Sequence, residues 1–191
     1  MQTRPPLLVL IGPMGAGKTT IGKLLAQQLG YDFFDSDKEI EASAGASIGW
    51  IFDKEGEAGF RERETRMLAR LTEQDERVIA TGGGAITTLA NHALLKRGLV
   101  IYLNASVDTQ YARTCRDRNR PLLHTENPKQ RLAELFAVRA PIYQQLADLE
   151  IITGHTSPRR LVQEIIDQLA QPAGVPTHPL TDSLTDNELT Q

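Results

Sequence analysis

Five consecutive apolar residues, Leu7-Leu-Val-Leu-Ile11, run directly into Gly12-Pro-Met-Gly-Ala-Gly17-Lys18-Thr19, after which Ile21, Leu24, Leu25 and Leu29 recur at helical spacing. This constrains the fold more than any other stretch. A buried strand must end at Gly12, a glycine-rich loop must turn, and a helix must open near Lys18, which is the context in which G-x-x-x-x-G-K-[ST] binds phosphate. Glycines let successive backbone N–H groups face inward around phosphate oxygens, and the helix N-terminus adds partial positive charge. Lys18 would reach the β- and γ-phosphates and Thr19 would offer its hydroxyl to Mg²⁺. A plain glycine turn between strand and helix is the bland alternative, and the strand-helix context argues against it. The motif alone does not choose between kinase, GTPase and ATPase.

Short apolar runs return at Tyr31–Phe34, Val78–Ala80, Leu99–Leu103 and Leu149–Ile152, mostly separated by enough chain for a helix or more. Five strands with helical crossovers predict a parallel sheet covered on both faces, an α/β fold of three layers. About forty residues between the second and third runs are too many for one crossover and predict two or three short helices. Phe60, Met67, Leu68 and Leu71 give the last of these an apolar stripe. Residues 116–128 hold two prolines and three arginines and suggest a mobile flap. Residues 171–191, with three prolines, four threonines and no lysine or arginine, read as a disordered tail. The expected folded unit is therefore residues 1–170.

Charge narrows the partners. The 191 residues carry a net charge of -3, which argues against a general nucleic-acid binder. The distribution is uneven: residues 113–139 hold seven bases and three acids, whereas residues 32–76 hold six bases and thirteen acids. An anion site is expected beside the first of these. The single cysteine, Cys115, allows no intramolecular disulfide and reads as a small buried residue in a reducing compartment. Leu7–Ile11 is too short for a signal-peptide core or membrane span, so a cytoplasmic protein without a membrane partner is expected. His92, His124, His155 and His178 are scattered without metal-ligand spacing, and Trp50 reads as packing within the inserted helices. With no heptad and no obvious exposed apolar strand, a monomer is expected.

Three further features bear on substrate choice. Asp35 and Asp37 are two apart, so in extended backbone both carboxylates would face the crevice at a strand's C-terminal end. Ser36-x-x-Glu39 is equally a helix capping box, and the two readings are compatible. Thr81-Gly82-Gly83-Gly84 fits a close approach to the main chain or a positive φ, with a plain loop as the alternative. Arg61 and Arg139 carry guanidinium forks suited to carboxylate or phosphate. For Arg61 an ion pair with Glu57 or Glu64 is the competing reading, and for Arg139 the following Ala140-Pro141 predicts an interruption of the helix.

Taken together, Gly12-Pro-Met-Gly-Ala-Gly-Lys-Thr-Thr20, Asp35-Ser-Asp37, Gly59-Phe-Arg61, Thr81-Gly-Gly-Gly84, Arg120-Pro-Leu-Leu123 and Arg139-Ala-Pro-Ile-Tyr143 stand in the order seen in shikimate kinases. The chain resembles that family from about Leu7 to Ala170. The resemblance implies a nucleoside monophosphate kinase-like P-loop fold, with a five-stranded parallel sheet in the order 2-3-1-4-5. It also implies a helical substrate-binding insertion at about 35–63 and a lid at about 116–128.

The activity implied is transfer of the γ-phosphoryl group of ATP, with Mg²⁺, to the 3-hydroxyl of shikimate in aromatic amino acid biosynthesis. Carried over by motif, Asp37 meets the reacting hydroxyl edge and Asp35 lies near the Mg²⁺ water shell with Thr19. Arg61 and Arg139 hold the carboxylate, Gly83 contacts substrate through its backbone between Gly82 and Gly84, and Phe52 and Phe60 line the pocket. Gly15, Ala16, Gly17, Lys18, Thr19 and Thr20 hold ATP, Arg120 reaches the transferring phosphate, and Arg113 and Pro158 sandwich adenine. Another small-molecule kinase on this fold, or a nucleotide-dependent binding module that has lost transfer, are the competing readings.

Overall fold

The computed structural model describes residues 5–115, 125 and 127–170. Its sheet contains β1 (Leu7–Ile11), β2 (Asp32–Asp35), β3 (Arg77–Ala80), β4 (Leu99–Ala105) and β5 (Leu149–Thr153), all parallel, in the order β2-β3-β1-β4-β5. Central β1 pairs Val9 with Ile79 on one side and Val100 on the other. All five of its residues are buried, because alternate side chains enter two different cores. Leu7, Val9 and Ile11 face one, with Met67, Leu68, Tyr102 and Tyr143; Leu8 and Leu10 face the other, with Ile21, Leu25, Leu161 and Ile165. That double burial explains an apolar run without alternation.

The helices are α1 (Lys18–Leu29), α2 (Ser36–Ala44), α3 (Ile48–Leu71), α4 (Leu89–Leu95), α5 (Val107–Thr114), α6 (Pro128–Leu146) and α7 (Pro158–Leu169). In α3 the backbone breaks at Gly56 (φ 70°, ψ -177°), so the segment between β2 and β3 holds three helical pieces, the upper end of the expected range. The second half of α3 buries Phe60, Met67, Leu68 and Leu71 as its stripe predicts.

Several local expectations need correction. Helix α6 continues through Pro141, because buried Leu132 on one side and Tyr143 and Leu146 on the other anchor both halves against the core. Trp50 is 50% exposed, since α3 turns Ile51 inward in its place. Cys115 is exposed at the C-terminal cap of α5, where Thr114 takes the buried position. The expected flap falls largely on 116–124 and 126, and the expected tail on 171–191, both outside the described residues. Among the described residues, no helix is long and apolar enough to cross a membrane, and no group of three or more His, Cys, Asp or Glu could hold a metal.

Candidate active site

The loop between β1 and α1 packs too closely for side chains at its start. A Cβ on Gly12, whose φ is 144°, would lie 2.4 Å from the Leu103 carbonyl oxygen of β4. Gly17 caps α1 in left-handed backbone with no side chain bonded to the first-turn N–H groups, and no acid occupies that turn, so those donors can take an anion. Lys18 Nζ folds back across the loop and donates to the carbonyls of Gly12 (2.7 Å) and Pro13 (2.8 Å). Thr19 Oγ1 donates to Asp35 Oδ2 at 2.7 Å, which ties the P-loop helix to the end of β2. Two hard oxygen donors meet there, the ligand type that suits Mg²⁺.

Asp35 and Asp37 do not share an extended segment. Asp35 ends β2 and caps α2, its Oδ1 accepting the Asp37 N–H at 3.2 Å, so Asp37 stands in the first turn of the helix. The expected cap at Ser36 is displaced by one residue. Ser36 is fully buried instead, and its Oγ accepts the N–H of Gly82 at 3.1 Å. Both carboxylates nonetheless reach one region, because a strand end and a helix start can aim neighbouring side chains together.

Residues 82–84 are glycines for reasons of space. None has a positive φ. A Cβ on Gly82 would sit 2.7 Å from Asp37 Oδ1 and 3.1 Å from Glu64 Oε1, and one on Gly84 would sit 2.5 Å from an Arg61 guanidinium nitrogen. A plain loop is thereby excluded: two acids and a cation press against this backbone. Gly83 O accepts from the Tyr143 hydroxyl at 2.5 Å.

Arg61 does make the ion pairs that competed with its binding role. Its Nη1 meets Glu64 Oε2 at 2.7 Å, and its Nη2 meets Glu57 Oε1 at 3.3 Å. The two are unequal: the Glu64 side chain is 1% exposed, that of Glu57 71%. An incoming anion would compete with the weak, solvated partner while Glu64 keeps the guanidinium oriented. The Arg61 guanidinium also lies 5.3 Å from the centre of the Phe60 ring, which packs 4.7 Å from Phe52. Arg139 lines a small cavity with Pro13, Met14, Phe136 and Tyr143, and its charge bears on Glu64 from across the site.

The electrostatics single out Asp37. Burial, then the neighbouring charges of Asp35 and Glu64, push its carboxyl up to about 6, against the opposing pull of Lys18 and Arg61. Its Oδ1 and the Oε1 of Glu64 are buried without a hydrogen-bond partner among the described residues. Burial likewise raises the Glu64 carboxyl, with Arg61 opposing. Unpaired oxygens of this kind are costly in a folded chain and suit a ligand that donates hydrogen bonds.

On the other side of the P-loop, a cleft of about 190 Å³ is lined by Ala16, Gly17, Thr20, Ile21, Arg113, Thr156, Pro158 and Leu161. Arg113 donates to Gly15 O at 2.9 Å and to Gly154 O at 2.7 Å, so its guanidinium bridges the P-loop and the loop after β5. Arg120 lies outside the described residues. The sequence reading misses what three buried residues of the site do: it takes Ser36 only as a helix cap and Glu64 only as an ion-pair partner, and gives Tyr143 no role. Glu64 left a signal, since it falls on the apolar stripe of Phe60, Met67, Leu68 and Leu71, where a charge is out of place.

The shikimate kinase family model matches residues 14–170. Shikimate kinase from Psychrobacter arcticus is 57% identical over 165 residues, covering 86% of this chain and 89% of that one. The enzyme from Pseudomonas fluorescens is also 57% identical over 165 residues, covering 86% and 96%. Among solved structures, shikimate kinase from Acinetobacter baumannii in complex with shikimate superposes with a TM-score of 0.85 at 51% identity, covering 88% of this chain and 94% of that one. The enzyme from Bacteroides thetaiotaomicron gives 0.79 at 32% identity, covering 86% and 98%. The family model, matching residues 14–170, and relatives 57% identical over 165 residues make this chain, with its P-loop beside an acid pair and an arginine-lined glycine turn, a member of the shikimate kinase family.

Proposed function

We propose that the cleft transfers the γ-phosphoryl group of ATP to the 3-hydroxyl of shikimate, with Asp37 at the reacting hydroxyl. The observation that carries this assignment is the buried, unpartnered Asp37 Oδ1 pressed against Gly82. A substrate hydroxyl would supply its missing donor. As the hydroxyl oxygen bonds to phosphorus and the bond to the ADP oxygen breaks, the hydroxyl proton passes to Asp37. A carboxyl held at about 6 is ionised at neutral pH and still basic enough to accept that proton.

Lys18 and the first turn of α1 hold the phosphates of ATP through Gly15, Ala16, Gly17, Thr19 and Thr20, and Lys18 leaves its loop carbonyls to do so. Mg²⁺ would be held by Thr19 and, through water, by Asp35, and it neutralises charge on the phosphates when bound. The 2.7 Å contact between these two residues supports the pairing. Arg113 and Pro158 take adenine in the cleft they line. Arg61 and Arg139 clamp the shikimate carboxylate from α3 and α6, over the backbone of Gly82, Gly83 and Gly84, with Phe52 and Phe60 against the ring. Arg120 is assigned from sequence to the transferring phosphate.

In domain terms we assign residues 35–63 to shikimate binding and 116–128 to a lid within a unit spanning 1–170, acting as a monomer. ADP release measured with shikimate added and omitted tests the whole reading. Asp37→Asn should lower kcat at least 100-fold with ATP binding retained. Near-normal turnover in that variant rules out both the base and the anchoring role.

A further inference from the structure

Helix α6 carries Arg139 and Tyr143 one turn apart, with Pro141 between them. Proline has no N–H to donate back along the helix, so the carbonyl of Ala137 loses its helical donor and the turn that carries Arg139 lacks its closing bond. Tyr143 compensates on one side only. It is fully buried, its ring stacks on that of Tyr102 at 5.1 Å between centres, and its hydroxyl reaches out of α6 to Gly83 O. Burial raises the phenol well above its usual range, with the charge of Arg139 opposing, so the group stays a donor at every working pH.

That hydrogen bond joins two parts of the site that are sixty residues apart in sequence. On the far side of the glycine turn, Ser36 Oγ holds the Gly82 N–H and the Arg61 guanidinium packs on Gly84. The turn is therefore gripped from α2 at Gly82, from α3 at Gly84 and from α6 at its middle, Gly83. Loss of the α6 grip would leave the Arg139 side of the site free to shift against the Arg61 side.

We propose that Tyr143 is a positioning residue for shikimate: its hydroxyl on Gly83 O fixes Arg139 and the glycine turn at the separation that a single carboxylate can bridge. This rests on the reading of Arg61, Arg139 and Gly83 given above. The hydroxyl bonds the glycine turn, on the shikimate side of the proposed site, so its effect should be confined to one substrate.

Tyr143→Phe keeps the ring and its stacking and removes the hydroxyl, with both its bond to Gly83 O and its contact with the Arg139 guanidinium. In the full-length chain it should raise KM for shikimate about tenfold, leave KM for ATP within twofold, and lower kcat less than threefold. The effect should be strongly sub-additive with Arg139→Ala, because both changes remove the same alignment. Thermal unfolding of the same preparations supplies a readout that separates stability from positioning. Equal rises in both KM values with a lower Tm, additivity with Arg139→Ala, an unchanged shikimate KM, or a variant that does not fold would each overturn the proposal. Arg139→Ala alone separates the two levels: if it leaves shikimate binding intact, the clamp assignment falls as well. If it weakens binding while Tyr143→Phe does not, only the role of Tyr143 falls.

Discussion

Asp37→Asn should stabilise the ligand-free protein while it disables it. Burial and the charges of Asp35 and Glu64 raise the Asp37 carboxyl from its ordinary value of 3.8 to about 6, so the folded chain holds this proton more tightly than the unfolded chain. Folding is then favoured most below pH 4, and the advantage is lost as pH rises through about 6. Above that range the ionised folded state carries a penalty of about 3 kcal/mol. Asparagine is neutral at every pH and escapes it, and its amide can donate to the unpartnered Glu64 Oε1 nearby. The variant should therefore exceed the parent by about 3 kcal/mol at pH 8 and by roughly half that at pH 5. For a domain of this size the pH 8 difference corresponds to about 6–12 °C in Tm. Urea melts of both proteins without nucleotide, at pH 5, 6.5 and 8, provide the test. An asparagine variant less stable than the parent at pH 8, or a gap that does not widen with pH, would show that Asp37 is not an electrostatically strained acid.

The same carboxyl should leave its mark on catalysis, with kcat/KM for shikimate falling tenfold per pH unit below about 6; a flat profile down to pH 5 would argue for anchoring without proton transfer. Arg61→Ala and Arg139→Ala should each weaken equilibrium shikimate binding by about 2–3 kcal/mol, read by calorimetry, because each removes a charge-assisted contact. Glu57→Gln should do the opposite and lower the shikimate KM about twofold, since it frees the exposed side of Arg61 at the cost of only a solvated ion pair.

Much of the scaffold was legible because the relevant signals are local. An unbroken apolar run followed by a phosphate loop demands a central strand buried on both faces, and β1 occupies that position. The stripe on the second half of α3 was equally plain. The acid pair was found for a partly mistaken reason: Asp37 reaches the site from the first turn of α2, because Asp35 caps that helix and ends the strand. Pro141 misled for the opposite reason, since a local helix-breaking preference yielded to the anchoring of Leu132, Tyr143 and Leu146.

By itself the sequence determined the parallel α/β class and the phosphate loop, which rest on patterns along the chain, and its motifs carried the resemblance to shikimate kinases. Only the tertiary structure decided which charges are strained and which are satisfied. Glu64 and Glu57 flank Arg61 at similar helical spacing, yet one is sealed against the glycine turn and the other stands in water. Ser36 and Tyr143 enter the sequence only as members of motifs and become grips on Gly82 and Gly83 once β2, β3 and α6 converge. Burial and long-range contact set the energy of each polar group, and neither is a property of residue spacing.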